Sequence, residues 1–526
     1  MKKVFISIAT VAFSASVFAG GLLTNTNQNA HFLRNPARGA STEIDAVYSN
    51  PAGLSFMEND GLTLSLNNQS AFQTRTITST FAPFAMNGGN ATKEYEGKAN
   101  APFIPSLQAA YKTDDWVFSG SFAIVGGGGT LNFDKGLPSF EAMVVSQVAA
   151  PLAQLSQASN IPAGYALDMS LEGSSITYGA QLGITYKIND MFSAFVGGRV
   201  SIVRNGYNGY LRNVQIENVD AMKTYFTTAA GNAKAVASTL QPAILAGYGN
   251  ATLNQLVGAG FATQDQLAQM AAGLGKTPEE LGALTVTQTQ TAFNTAAAQA
   301  EGAAAGVTQL AAGAAATDMK LDTKQSGWGV APIFGLDFNY EKLNIGVKYD
   351  FNTNVRLTNK TAQDVGNMFP DGAESYYDIP ALLSVGASYK FCEDKLTASA
   401  GYHLFFDKDA DMANERNKAL DGNSYEVLAG LEYKINDKFL VSAGGQLSRY
   451  GLTDKAQSDM NFNCNSYSVG LGGAYNITKK LTLNLSYLFT KYEDYTKNNP
   501  YGVGTNSKEN YTRTNNAFGI GLDYNF

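Results

Sequence analysis

Apolar residues alternate with small or polar ones at a period of two through the C-terminal part of this 526-residue chain. Phe518, Ile520, Leu522, Tyr524 and Phe526 share one face, and Gly519, Gly521, Asp523 and Asn525 share the other. Leu481, Leu483, Leu485, Tyr487 and Phe489 repeat this against Thr482, Asn484, Ser486 and Thr490. Tyr467, Val469, Leu471, Tyr475 and Ile477 do so again, against Ser466, Ser468, Gly470, Gly472 and Asn476. This is the period of a strand with two different environments on its two faces. A soluble β-sandwich also alternates, but three features favour a barrel in lipid. The polar face is rich in Gly, Ser and Asn, as a crowded or wet lumen requires. Aromatic residues gather near strand ends, as in an interfacial girdle. The chain also stops on an apolar-periodic strand ending in Phe526, which resembles the terminal recognition strand of bacterial outer-membrane proteins.

Punctuation predicts the strand count. Tight turns fall near Thr113-Asp114-Asp115, Ile188-Asn189-Asp190, Tyr340-Glu341-Lys342, Glu393-Asp394-Lys395, Asn436-Asp437-Lys438 and Thr478-Lys479-Lys480. Long connections alternate with them, at about 76–101, 134–170, 206–325, 359–378, 411–423, 451–464 and 495–513. Six turns and seven loops imply fourteen antiparallel strands, an even number as bacterial barrels have, with the short turns periplasmic and the long loops outside. The expected architecture is thus an all-β membrane protein, a fourteen-stranded transmembrane barrel over 61–526 with helical extracellular insertions.

Residues 1–19 read as a signal peptide: Lys2 and Lys3, an apolar run from Val4 to Phe13, and Val17-Phe18-Ala19 before the cut. No later stretch reaches the roughly twenty apolar residues of a membrane helix. Charged residues are 15% of the chain and Gly numbers 53, while a mean hydropathy of −0.14 is what averaging lipid-facing and lumen-facing residues produces. The net charge of −7 argues against a nucleic-acid partner. Two cysteines, Cys392 at a periplasmic turn and Cys464 beside an outer loop, lie too far apart on this map to pair.

Between signal and first strand, at 20–60, lies a segment a barrel does not need in order to fold; a plug is its simplest use. Arg34 to Met57 reads Arg-Asn-Pro-Ala-Arg-Gly-Ala-Ser-Thr-Glu-Ile-Asp-Ala-Val-Tyr-Ser-Asn-Pro-Ala-Gly-Leu-Ser-Phe-Met. It resembles the N-terminal hatch of the FadL-type outer-membrane transporters of long-chain fatty acids and other hydrophobic compounds. In that family an acidic segment leads to Asn-Pro-Ala before the first strand, matched here by Asp45 and by Asn50, Pro51 and Ala52, which abut a strand expected over Gly61 to Ile77. The resemblance implies a fourteen-stranded barrel, a hatch loosened by ligand, and lateral exit of substrate through the wall beside an inward-kinked third strand. Gly126, Gly127, Gly128 and Gly129 close the third expected strand; they suit such a kink, or equally a flexible strand-to-loop exit. On residues alone, Asn50-Pro51-Ala52 reads as a turn with Pro51 fixing its own φ and extending Asn50; the resemblance makes it a gate.

Arg34 and Arg38 flank a second Asn-Pro-Ala, and either bind a substrate carboxylate or pair with Glu43, Asp45 or an inward carboxylate to hold the plug; the structural pairing is the preferred reading. His31 and His403 form no metal cluster, no Ser/His/Asp order supports hydrolysis, and no cofactor is expected. Within 206–325, Gln264 to Leu274 and Thr289 to Ala300 favour helix, and Thr277-Pro278-Glu279-Glu280 reads as a helix start. This insertion is either a cap with an apolar underside or a solvated segment, and a further helix is expected from Ser139 to Ser156. The expected function is passive transport of a hydrophobic ligand in the bacterial outer membrane, not catalysis. The partners are outer-membrane lipid and, during biogenesis, the barrel assembly machinery, with the chain a monomer. The alternatives are a structural or adhesive surface barrel and a general porin.

Overall fold

The computed structural model describes residues 21–364 and 367–526; the expected signal peptide lies outside the described residues. Fourteen antiparallel strands close a barrel. They are β1 (Gly61–Thr80), β2 (Thr92–Thr113), β3 (Trp116–Phe133), β4 (Tyr165–Lys187), β5 (Phe192–Ile216) and β6 (Met319–Tyr340). After them come β7 (Leu343–Asp350 and Arg356–Asp364), β8 (Glu374–Tyr376 and Leu382–Phe391) and β9 (Leu396–Phe405). The last are β10 (Ser424–Lys434), β11 (Phe439–Arg449), β12 (Ser466–Asn476), β13 (Leu481–Tyr492 and Tyr495–Asn498) and β14 (Lys508–Asn525). Closure runs from Thr63 opposite Asn525 to Thr80 opposite Lys508, so among the described residues the first and last strands leave no free sheet edge.

The six tight turns fall where the punctuation predicts. Five of the seven long connections are shorter than predicted, because strands continue past the membrane band, while those at 406–423 and 450–465 are slightly longer than the expected 411–423 and 451–464. The first runs only from 81 to 91 instead of 76–101, and the largest from 217 to 318 instead of 206–325. About ten tilted residues cross the bilayer, whereas β4 has 23 and β5 has 25. The strands β1 to β6 and β14 therefore build a tall outer wall, and the strands opposite are short.

That wall supports the extracellular helices. The helix α3 (Pro138–Ser159, after the short plug helices α1, Ala30–Arg34, and α2, Ala46–Ser49) lies at the mouth. Its Phe140, Val144, Val145, Val148 and Leu152 join the inward-facing Tyr95, Leu131, Phe133 and Leu171 in one apolar cluster. The large insertion is an antiparallel hairpin of α4 (Val219–Ala243) and α8 (Val286–Ala315), with α5 (Leu253–Gly258), α6 (Gln264–Gly273) and α7 (Pro278–Gly282) at its tip. Only its base, through Met222, Phe226, Val307 and Ala314, packs with the mouth cluster. The tip has a separate core including Leu240, Leu256, Leu267 and Leu281. The apolar cover over the mouth is therefore mostly α3, and the Ala-rich insertion stands up from it. The reason is that α4 and α8 spend their small-residue faces on each other.

Candidate functional site

Residues 21–57 run inside the barrel, nearly all buried. Asn29 caps α1 through its side chain, accepting from the Phe32 N–H at 2.9 Å. Asn50 ends α2 in an extended conformation, as the residue before proline must, and Pro51 begins a two-turn 3-10 segment, Pro51–Phe56. The plug backbone is irregular, so its carbonyls need donors from the wall. They receive them from Gln181 to Val47 O (2.8 Å), Thr185 to Pro51 O (2.8 Å), Ser193 to Ala52 O (2.7 Å) and Lys348 to Tyr48 O (2.8 Å). The polar lumen face is thus a set of plug contacts. The Asn50 amide donates to the Asp337 carboxylate at 3.0 Å and to Leu336 O at 3.1 Å on β6.

Arg34 and Arg38 both sit in ion pairs. Arg34 donates to Glu432 Oε1 at 2.7 Å and to Ser442 at 3.1 Å. Arg38 grips Asp45 through two nitrogens, at 2.7 and 2.8 Å, and also donates to Glu432 Oε2 and Glu43, each at 2.7 Å. Burial alone disfavours the Asp45 anion, but the Arg38 guanidinium outweighs it and holds the carboxyl well below its ordinary range. His31, Glu43 and Asp45 bring ligand atoms within 4.8 Å of one another. Arg38 donates to both of those carboxylates, so a guanidinium already fills the place of a metal cation.

The lumenal glycines admit this plug. A Cβ at Gly430 would stand 1.9 Å from Asn35 Oδ1, one at Gly470 2.2 Å from Leu33 O, and one at Gly346 2.2 Å from Gly39 O. A side chain larger than hydrogen at any of these would push the plug away from the wall.

One seam of the wall is unzipped. The strands β2 and β3 pair from Leu107–Phe122 to Thr113–Trp116 and again from Gly97–Phe133 to Ala99–Leu131. Between these stretches, residues 100–106 and 123–130 make no pairing with each other. The sequence Pro102-Phe103-Ile104-Pro105 removes two ladder donors from β2. On β3, Gly127 and Gly128 take φ of +66° and +130°, and the strand bulges twice against β4. Gly126 to Gly129 thus lie where β3 bulges against β4. The N-terminal part of the plug covers it from inside: Asn25 N–H donates to Val125 O and its amide to Gly127 O, both at 2.8 Å. Ser106 of β2 donates to Gln28 O at 2.6 Å, so the plug bridges the two separated strands. Asn25 and the two prolines were not anticipated; Pro102 and Pro105, three apart in an otherwise strand-like run, were the available signal.

A closed antiparallel barrel of fourteen strands, with an irregular N-terminal segment stitched into its lumen, defines an outer-membrane β-barrel of the plugged class. The family model described as the porin subfamily matches residues 179–520, and the chain belongs to that family. Among solved structures, a Pseudomonas aeruginosa FadL homologue is similar at 11% identity and a TM-score of 0.57, with 96% of this chain and 100% of that one covered. The Pseudomonas putida toluene transporter TodX is similar at 15% identity and a TM-score of 0.48, over 99% of each chain. The Ralstonia pickettii toluene transporter TbuX follows at 14% identity and 0.46, over 94% of this chain and 99% of that one. No curated protein matches the sequence. The resemblance to FadL-type transporters therefore holds for the fold.

Proposed function

We propose that the protein passes hydrophobic small molecules, long-chain fatty acids foremost, passively across the outer membrane and releases them sideways into the bilayer. The observation that carries this reading is the unzipped β2–β3 seam, closed from inside by Asn25 and Gln28 rather than by strand pairing. An oily molecule loses roughly 0.8 kcal/mol per methylene kept in water, so a side exit into lipid is a better route than a wet channel through the plug. The mouth supports it. Beneath α3 an apolar pocket is lined by Phe140, Met143, Leu171, Leu211, Met319 and Met368, whose thioethers adapt to varied shapes. In this reading Asn50, Pro51 and Ala52 fasten the plug on the β6 side, while the Gly126–Gly129 kink forms the exit.

The test is uptake of labelled oleate into liposomes. A Cβ at Gly127 would meet Ser175 O at 2.2 Å in a left-handed conformation, so Gly127→Trp destroys the kink. Uptake should fall with barrel assembly intact, and unchanged uptake removes the lateral exit. Asn50→Ala should alter uptake through the plug; no effect removes its role as a gate. A polar-solute pore is the second reading, favoured by the family match. Sugar conductance without lipid uptake would establish it in place of the first.

A further inference from the structure

On the outer face of β5 and β6 the apolar residues end at one level. Val196, Val200 and Ile202 give way to Arg204 on β5, and Phe334, Val330 and Trp328 give way to Ser326 and Lys324 on β6. Ile202 is the register partner of Trp328, and Arg204 of Ser326, so the boundary is continuous across the two strands. Two residues beyond Ser326, Lys324 stands directly opposite Lys360 of β7, and both are exposed. Like charges opposed across strands destabilise a sheet. Among the described residues neither lysine enters an ion pair, and Arg204 donates only to the Val203 carbonyl, at 3.1 Å. Two carboxylates of this face, Glu374 opposite Thr358 and Asp322 two residues beyond Lys324, pair with none of the three. A fourth cation, Arg356, is held by Asp378 at 3.3 Å and lies with Cζ 3.5 Å from the Tyr376 ring centre.

The wall is recessed beside these cations. The β6–β7 ladder has no paired residues between Ile333 opposite Asp350 and Ser326 opposite Thr358. A recess of about 560 Å³ opens there, lined by Ile202, Arg204, Ser326, Trp328, Arg356 and Thr358 among others. Trp328, 67% exposed, is its largest apolar surface. Opposed strand residues stand about 5 Å apart, and two residues of rise add about 7 Å. Arg204, Lys324 and Lys360 therefore reach one anionic group of phosphate size. Because the cations lie directly above a surface that faces lipid, the anion that fits is the head of a lipid whose chains lie below it.

We propose that this recess docks a phosphorylated lipid of the outer leaflet, its phosphate held by Arg204, Lys324 and Lys360 and its chains lying along Trp328, Ile202 and Val330. The site is on the outside of the wall, so it stands or falls apart from the transport reading. A phosphate between Lys324 and Lys360 cancels their repulsion and accepts charge-assisted hydrogen bonds from both and from the Arg204 fork. The indole at the level where chain meets head is an interfacial anchor for the same molecule. A neutral lipid cancels no charge here.

Native mass spectrometry of the purified barrel compares diphosphoryl lipid A, a phosphorylated glycolipid, with the same lipid stripped of its phosphates. The native protein should prefer the phosphorylated form. Lys324→Gln and Lys360→Gln should each weaken that form about fivefold and leave the stripped lipid nearly unchanged. Without lipid, neither variant should melt below the native protein, because each removes a like-charge contact; this separates lost lipid binding from lost folding. Trp328→Ala should weaken both lipids alike. Lys491→Gln removes an exposed lysine of β13, on the far side of the barrel, and should change neither. Equal binding of the two lipids by the native protein, or an equal loss in Lys491→Gln, overturns the proposal. Displacement of the lipid by an equal concentration of inorganic phosphate also overturns it, since the recess would then be a site for a free anion.

Discussion

Both plug arginines converge on Glu432, one on each carboxylate oxygen, at 2.7 Å. Arg38 has Asp45 and Glu43 as further partners, but the other acceptor of Arg34 is the neutral Ser442 hydroxyl. Glu432→Ala would therefore leave the Arg34 cation, 1% exposed, without its carboxylate. Removing one partner of a buried ion pair costs about 3–5 kcal/mol. That loss falls on the docked plug and not on the barrel, because β10 keeps its backbone ladder whichever side chain stands at 432. At about 1.4 kcal/mol per decade, the docked-to-released ratio should drop by roughly 150- to 4,000-fold. Glu432→Gln, which keeps the shape and loses the charge, should fall between. Planar-bilayer conductance reads this directly: the native protein should be nearly silent to ions, Glu432→Ala should show frequent open events, and its heat-modifiable barrel should persist on gels. Conductance as low as native in Glu432→Ala would refute the assignment of plug retention to this ion network.

Gly470→Ala should loosen the plug through a contact of 2.2 Å with Leu33 O and cost about 1–3 kcal/mol. Gly445→Ala, whose Cβ would sit 3.5 Å from Ser468 O, should be silent in the same conductance assay. Cys392 is exposed and Cys464 buried, where desolvation pushes its thiol up to about 12 despite nearby Arg513 and Arg75. An impermeant maleimide should then label neither cysteine on intact cells and only Cys392 after permeabilisation; labelling of intact cells would reverse the orientation. Burial lifts the Asp407 carboxyl in the outer loop to about 6, against the opposing pull of Ser424 and Arg416. A carboxyl raised on folding binds its proton more tightly in the folded state, so loop stability falls as pH rises from about 4 through 6, by about 3 kcal/mol in all. Asp407→Asn keeps an acceptor for the Ser424 N–H (3.0 Å) and should protect the loop from hydrogen exchange at pH 7.5 but not at pH 4.

The barrel was legible because its turns are chemically marked and its two faces meet different solvents. Asn436-Asp437-Lys438 and Thr478-Lys479-Lys480 interrupt strands whose alternation has no gap between them. The outer extensions were not legible. Beyond the membrane band β5 continues as Gly206-Tyr207-Asn208-Gly209-Tyr210, whose outer face meets water instead of lipid, and so reads as loop. In the insertion, Thr277 was visible as a cap because Pro278 follows it. Thr277 forms a capping box with Glu280, and the related Thr-x-x-Gln arrangement starts helices at Thr252, Thr263 and Thr285 and makes capping boxes there too. At the candidate site, the glycines of the small face had a second meaning that only the plug reveals. Gly430 and Gly470 look like any lumenal glycine until Asn35 and Leu33 are placed against them. Lys324 and Lys360 read as loop residues, and only the register of β6 on β7 sets them opposite each other.

The plug has two attachments of different character, and the difference bears on what must move. Around Asn50 the contacts are deep and charged: Asp337 receives the Asn50 amide, and Lys348 reaches Tyr48 O while pairing with Asp350 at 2.9 Å. Releasing that side breaks several buried polar contacts at once, each costly to leave unmade. At the seam, Asn25 and Gln28 hold β3 by three hydrogen bonds to backbone carbonyls, from Asn25 N–H, Asn25 Nδ2 and Gln28 Nε2. Those carbonyls belong to a stretch of β3 already separated from β2, so letting go disturbs no ladder between them. The separated stretch of β2 beside this weaker attachment carries the apolar Ala101 and Ile104. On the transport reading proposed above, withdrawal of residues 22–29 from the seam is the smaller motion that would open a way into lipid with the Asn50 side still docked. A plug yielding at that edge and staying closed below would admit oily cargo without admitting ions.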